Sequence, residues 1–351
     1  GAVLQSLAFA LGTYGHHTLV QQYVCQTLEH MATHAPDLAA ASACLPLALQ
    51  CADANTEAVR AVNVALETLL RANRLPADVQ FIRPADIAAF VAVSLDLHSG
   101  DTVTLPAMQA LALFVEMNDE HAGLVACHTD SVVKVLGENL SRRLVVRDTC
   151  KTLLAVWRVV PPSEEVAISV CELVCTVLTD LPRHASAVPL LAECLAACVA
   201  RMADPESEVP SDALAVLAQC LHAQAATDAF HSSIATLLKA CPVSAGVARA
   251  EAHILSLLRQ REDDAFDGVL LHAVGALPAV LPFAEDADTV LLLLDDLLLL
   301  LRKVPRANVG ATTHVFRALD ACLAAVGYSV ECSRRVALAV HERLDVRRVD
   351  R

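Results

Sequence analysis

DSVVKVLGENLSRRLVVRDTCKTLLAVWRVVPPSEEVAISVCELVCTVLTD, residues 130–180, holds three apolar-periodic segments parted by short polar or proline breaks. Apolar side chains that recur every three or four residues mark one face of an α-helix. The spacing predicts helices over 130–141, 143–160 and 163–180. The second break, Pro162-Ser163-Glu164-Glu165, puts a proline and a capping side chain just ahead of the third pattern. Three helices in succession, with no strand pattern between them, decide the fold class.

The same rhythm runs outward in both directions. Toward the N-terminus it predicts helices over 17–33, 36–51, 55–73, 84–97 and 104–117, preceded by an apolar helix-like stretch after Gly1. Toward the C-terminus it predicts them over 185–203, 210–225, 227–240, 246–261, 265–280, 286–303, 308–326 and 329–345. Pro36-Asp37, Asn55-Thr56-Glu57 and Pro210-Ser211-Asp212 are further helix-start signals. Only Val79-Gln80-Phe81-Ile82 looks strand-like, and it lies between Pro76 and Pro84 as a linker. Successive helices begin about 20 residues apart, so a pair recurs about every 40.

Composition agrees. Of 351 residues, 55% are hydrophobic and 19% charged, which excludes disorder. Aromatics are only 3%, so the apolar content is mostly Ala, Leu and Val, suited to close helix packing. Gly is scarce at 11, leaving little material for the turns of an all-β fold. The 13 Cys are odd in number and scattered singly in apolar stretches. They read as small buried hydrophobes in a reducing, cytoplasmic compartment, not as a disulfide framework. Gly1 in place of an initiating Met suggests a fragment of a longer chain.

Mean hydropathy is +0.49. The most apolar run, within Val290–Leu301, is nevertheless too short to span a bilayer and is interrupted by Asp295 and Asp296. A buried core helix is the expectation, with both aspartates on one solvated stripe near Asp288 and Lys303. No membrane insertion is expected. The net charge of −14 also speaks against nucleic acid.

Two segments carry a resemblance. In DANTEAVRAVNVALETLL, residues 53–70, an Asp precedes Val59-Arg60-Ala61 and spaced leucines follow. In VVRDTCKTLLAV, residues 145–156, Val146-Arg147 takes the same place. Both resemble the second helix of a HEAT repeat, in which Val and Leu fill the core between repeats while Asp and Arg bridge adjacent ones. The resemblance, with the helix rhythm, implies an all-α, right-handed α-solenoid of the armadillo/HEAT type. It would be built of roughly seven to nine stacked antiparallel helix pairs. One array over 1–351 is expected, with Asp204-Pro205-Glu206-Ser207-Glu208 read as an ordinary inter-helix loop, or alternatively a flexible break near 204–210.

Such a fold acts by shape, displaying side chains along a continuous wall. The function expected is therefore a non-catalytic protein–protein interaction scaffold or adaptor in a larger assembly, cytosolic or cytoskeletal. If residues 143–158 form one helix, Arg143, Arg147, Lys151 and Arg158 fall within about 80° of arc, opposite an apolar back. That stripe suits an acidic or phosphorylated segment of a partner, or an acidic tubulin-like surface. Arg334, Arg335, Arg343, Arg347, Arg348 and Arg351 form a second basic cluster, read mainly as favourable charge at a helix end. Importin-like armadillo proteins grip peptides with repeated Trp and Asn. Trp157 is the only Trp here, so recognition of that kind is not expected.

Two alternatives belong to other classes. Asp263, Asp264 and Asp267 match the DDxxD pattern with which isoprenoid synthases bind magnesium and diphosphate. No second acidic motif faces it, and a helix N-terminus is the simpler reading. The other is a purely architectural subunit that buries apolar faces on assembly. For metals, the best spacings are His30 with His34, Cys171 with Cys175, Cys194 with Cys198, and His121 with Cys127 and His128. Pairs of this kind arise readily by chance, and a structural zinc site takes four ligands, so no metal or cofactor is expected.

Overall fold

The computed structural model describes residues 2–40, 43–51, 55–73, 82–98, 101–179, 187–202, 287–304 and 309–345, with a few single positions between 212 and 281. The chain divides into two compact units, Gly1–Pro162 and Ser163–Arg351. Every regular element among the described residues is a helix.

The first unit contains α1 (Ala2–Tyr14), α2 (Thr18–His34), α3 (Pro36–Ala40), α4 (Cys44–Ala48), α5 (Thr56–Arg71), α6 (Pro84–Leu97), α7 (Asp101–Met117), α8 (Asp119–Val125), α9 (Thr129–Glu138) and α10 (Arg143–Val159). They pack in layers. α2, α5, α7 and α10 lie side by side in that order, so that α5 is gripped between α2 and α7. α1 packs on α4, and α6 on α8 and α9, while α1, α6, α8 and α9 also meet helices of the first row.

α5 shows why the sequence folds this way. The Asn55 side chain caps it, accepting from the amide of Ala58 at 2.8 Å, and donates across to the Thr18 carbonyl at 3.2 Å. Ala58, Val59, Ala61, Val62, Ala65, Leu66 and Leu69 are wholly buried, so small side chains let the neighbouring helices come close. The opposite edge carries Arg60, which grips Glu29 of α2 through two bonds of 3.2 and 3.0 Å. Arg60 thereby ties α5 to its neighbour α2.

Other ties between helices have similar reach. Ser131 on α9 donates to Asp96 on α6, 35 residues away, and Lys151 on α10 donates to Glu116 on α7, also 35 away. The Cys44 thiol donates to the Leu4 carbonyl across 40 residues, and the Arg60–Glu29 bond spans 31.

The second unit contains α11 (Glu164–Thr179), α12 (Val188–Val199), α13 (Ala287–Lys303), α14 (Val309–Ala325) and α15 (Val330–Asp345). α11 packs on α12, and α13 packs on α14 and α15. α14 ends where Gly327 and Tyr328 take the left-handed conformation, at φ 65° and 50°. The Tyr328 amide then donates back to the Leu323 carbonyl at 2.7 Å, closing the helix end.

Several expectations change. The single helix expected over 36–51 is two short ones, α3 and α4, and Pro46, which has no amide hydrogen to donate, stands in the first turn of the second. α7 starts at Asp101, ahead of the expected 104, and carries Pro106 in its interior. α8 was not expected, although Asn118 caps it by accepting from the His121 amide at 2.8 Å. Asp296 does not share a solvated stripe with Asp295. It is 7% exposed, on the same helical face as Leu293, Leu297 and Leu300, which are buried, while Asp295 pairs with Arg335. The helices expected over 210–280, and the break at 204–210, fall outside the continuously described residues.

Candidate functional site

α10 carries the basic stripe on a helix anchored from behind. Val145, Val146, Thr149, Cys150, Leu153, Val156 and Trp157 are buried, and α10 rests on α7, α8 and α9. The four basic residues then sort into two kinds. Arg143 and Arg158, near the two ends, are exposed, and among the described residues no hydrogen bond or ion pair engages them. Arg147 and Lys151, in the middle, are half-buried and already hold acids.

Arg147 donates to the carboxylate of Asp148 through bonds of 2.8 and 3.1 Å. Asp148 has only 4% of its side chain exposed, so the guanidinium supplies the charge that a buried carboxylate needs. The hydrogen bonds it donates to Asp148 hold the Arg147 guanidinium above its ordinary pKa. Lys151 donates to Glu116 at 3.2 Å, tying α10 to α7. The middle of the stripe thus serves packing, and its ends present free positive charge.

In the second basic cluster, Arg335 pairs with Asp295 of α13; Arg343, Arg347, Arg348 and Arg351 lie outside the described side chains. Nearby, Arg302 donates to Glu342 at 3.1 Å. Between these two ion pairs runs a groove of about 500 Å³ lined by Leu298, Leu299, Leu338 and Ala339. A smaller hollow of about 300 Å³ lies beside Pro46, Leu49, Phe90 and Val93.

The metal-spaced residues separate likewise. Among the described residues, no three His, Cys, Asp or Glu come together as a metal-ligand group. His121 stacks flat on Phe114, ring centroids 4.1 Å apart, and its Nδ1 lies 3.1 Å from the Phe114 carbonyl. Cys127 donates to the Leu124 carbonyl instead of joining His121. Cys171, Cys194 and Cys198 are buried in the apolar faces of α11 and α12. His30 and His34 lie side by side on α2, ring centroids 4.3 Å apart. Asp263, Asp264 and Asp267 fall outside the described residues.

Large apolar side chains stand exposed on the first two helices, which helical periodicity alone does not announce. Phe9 is 66% exposed, and Leu19 and Tyr23 are each 64% exposed. In a chain so poor in aromatics, Phe9 and Tyr23 so close together were the available signal.

No helix among the described residues is long and apolar enough to cross a membrane. No family model matches the chain, and no curated protein matches it. Among solved structures, it is similar to a crystal structure described as that of an engineered protein, at 15% identity and a TM-score of 0.49, over 94% of this chain and 92% of that one. A likeness of that degree carries no weight for fold or function.

Proposed function

We propose that the chain is an armadillo/HEAT-like right-handed solenoid of antiparallel helix pairs that serves as a non-catalytic scaffold or adaptor for other proteins. The observation that carries this reading is the common reach of the ties between helices. Glu29–Arg60, Asp96–Ser131, Glu116–Lys151 and Leu4–Cys44 join residues 31 to 40 positions apart, close to one repeat of a helical solenoid. The serial packing of α2, α5, α7 and α10 gives such repeats a continuous wall. A reducing cytosolic setting, cytoskeletal or otherwise, suits cysteines that form no disulfide among the described residues.

On that wall Arg143 and Arg158 are the contact residues, reading an acidic or phosphorylated segment by charge-assisted hydrogen bonds. Arg147 and Lys151 hold the surface that carries them. The test is charge reversal at the ends of the stripe alone, since reversal of Arg147 would leave Asp148 buried beside a second negative charge. Arg143→Glu/Arg158→Glu should fold like the wild type and lose a discrete set of captured proteins, with the strongest loss at low salt. Equal retention of every captured protein would remove the stripe from the function.

A second reading, a purely architectural subunit, is favoured by the exposed Phe9, Leu19 and Tyr23. An isolated chain that sediments as a monomer at micromolar concentration would count against it.

A further inference from the structure

The geometry points to a divalent transition-metal site of the Cu(II)/Ni(II) class formed by His30 and His34. The two residues are four apart on α2, which places them on one face a single turn apart. The inner face of α2 is fixed by the buried Val24, Cys25, Leu28 and Ala32, so the pair is held outward; both residues are exposed. Their ring centroids are 4.3 Å apart, and among the described residues no hydrogen bond or ion pair engages either ring.

The donor set selects the metal. Two imidazoles and water suit the tetragonal nitrogen–oxygen coordination of Cu(II) or Ni(II). Structural zinc takes four protein ligands, and magnesium and calcium take oxygen donors. A third protein ligand is not at hand among the described residues. The adjacent carboxylate of Glu29 is gripped by Arg60, and no further His, Cys, Asp or Glu joins the pair among the described residues. Placement helps as well. His34 is the last residue of α2, where the helix dipole presents its negative end to a cation. Chelation across this turn would pin the end of α2 just ahead of Pro36, where α3 begins.

Other histidine arrangements among the described residues lack these features. His16 and His17 have ring centroids 4.0 Å apart, but they are neighbours in the turn before α2, not a pair one helical turn apart. His121 is occupied by Phe114. The adjacent pair therefore supplies the control.

Ni(II) is the probe, because it does not oxidise the thiols of the chain as Cu(II) would. Calorimetric titration of the whole chain should find one Ni(II) equivalent in the wild type and in His16→Gln/His17→Gln. Its affinity should fall at least about tenfold in His30→Gln and in His34→Gln, removal of a ligand costing no less than removal of its outer-shell support. Ni(II) should also raise the unfolding temperature of the wild type, reversibly with a chelator, and leave that of His30→Gln unchanged. Helical circular dichroism in the absence of metal should be equal for all four proteins, since the substituted rings are exposed. Undiminished affinity in His30→Gln would overturn the site. Loss in only one of the two single variants would overturn the chelate.

Discussion

α5 and α13 are both core helices, and they spend their apolar residues differently. α5 mixes polar and apolar side chains almost evenly, yet Val59, Val62, Leu66 and Leu69 are all wholly buried. α13 contains LLLLDDLLLLL, yet Leu292 is 68% exposed and Leu299 41% exposed, while Asp296 is buried at 7%. Burial follows angular position on the helix, not apolar content. α5 has neighbours on two sides, α2 and α7, and its sequence is segregated to suit them. α13 meets α14 and α15, and its leucines continue around onto a face that neither covers.

Substitution should sharpen that contrast. The largest effect is expected at the two inner faces alike. Leu66→Ala in α5 and Leu297→Ala in α13, both 0% exposed, should each cost about 2–5 kcal/mol in denaturant unfolding. A much smaller cost at Leu297 would mean that α13 is a less integral core helix than α5.

Next comes the cap. Asn55→Ala removes both the bond to the Ala58 amide and the tie to Thr18, and should cost about 1 kcal/mol by the same assay. Asn55→Asp, which keeps the acceptor but not the donor, should recover most of it. No recovery would put the weight on the tie to α2 instead of on the cap.

The smallest effect is expected on the outer face of the leucine run. Leu292→Ser should shift stability by no more than about 0.5 kcal/mol. A loss comparable to that at Leu297 would show that another surface covers Leu292 and would break the contrast outright.

Much of this was legible in the chain. The helix expected over 84–97 is found at Pro84–Leu97, because Pro84 favours a first helical position and Asp86 bonds back to the Arg83 amide at 3.3 Å. The face of the basic stripe was also legible, because helical spacing fixes which residues share a side. What periodicity does not carry is contact across distance in sequence. Nothing in the spacing of 143–158 tells that Lys151 meets Glu116, 35 residues earlier. Nor does spacing tell that Asp148 turns inward and draws Arg147 to it. The inward turn of Asp296 escaped for a related reason: between Leu294 and Leu297, an aspartate pair can rotate with either residue to the core. Pro46 favoured a helix start at α4, and Asn118-Asp119-Glu120 announced α8.

The alanine-lined face of α5 has a consequence for how this protein can change over time. Ala58, Ala61 and Ala65 are wholly buried between helices already in close approach, so any larger side chain there must push a neighbour aside, at about 1–3 kcal/mol. Such an interior has no room for growth, and volume can be added only on its outside. New bulk acquired by mutation would collect on the exterior, where it is free to become a surface for attachment, while the interior drifts only among residues of the same size or smaller.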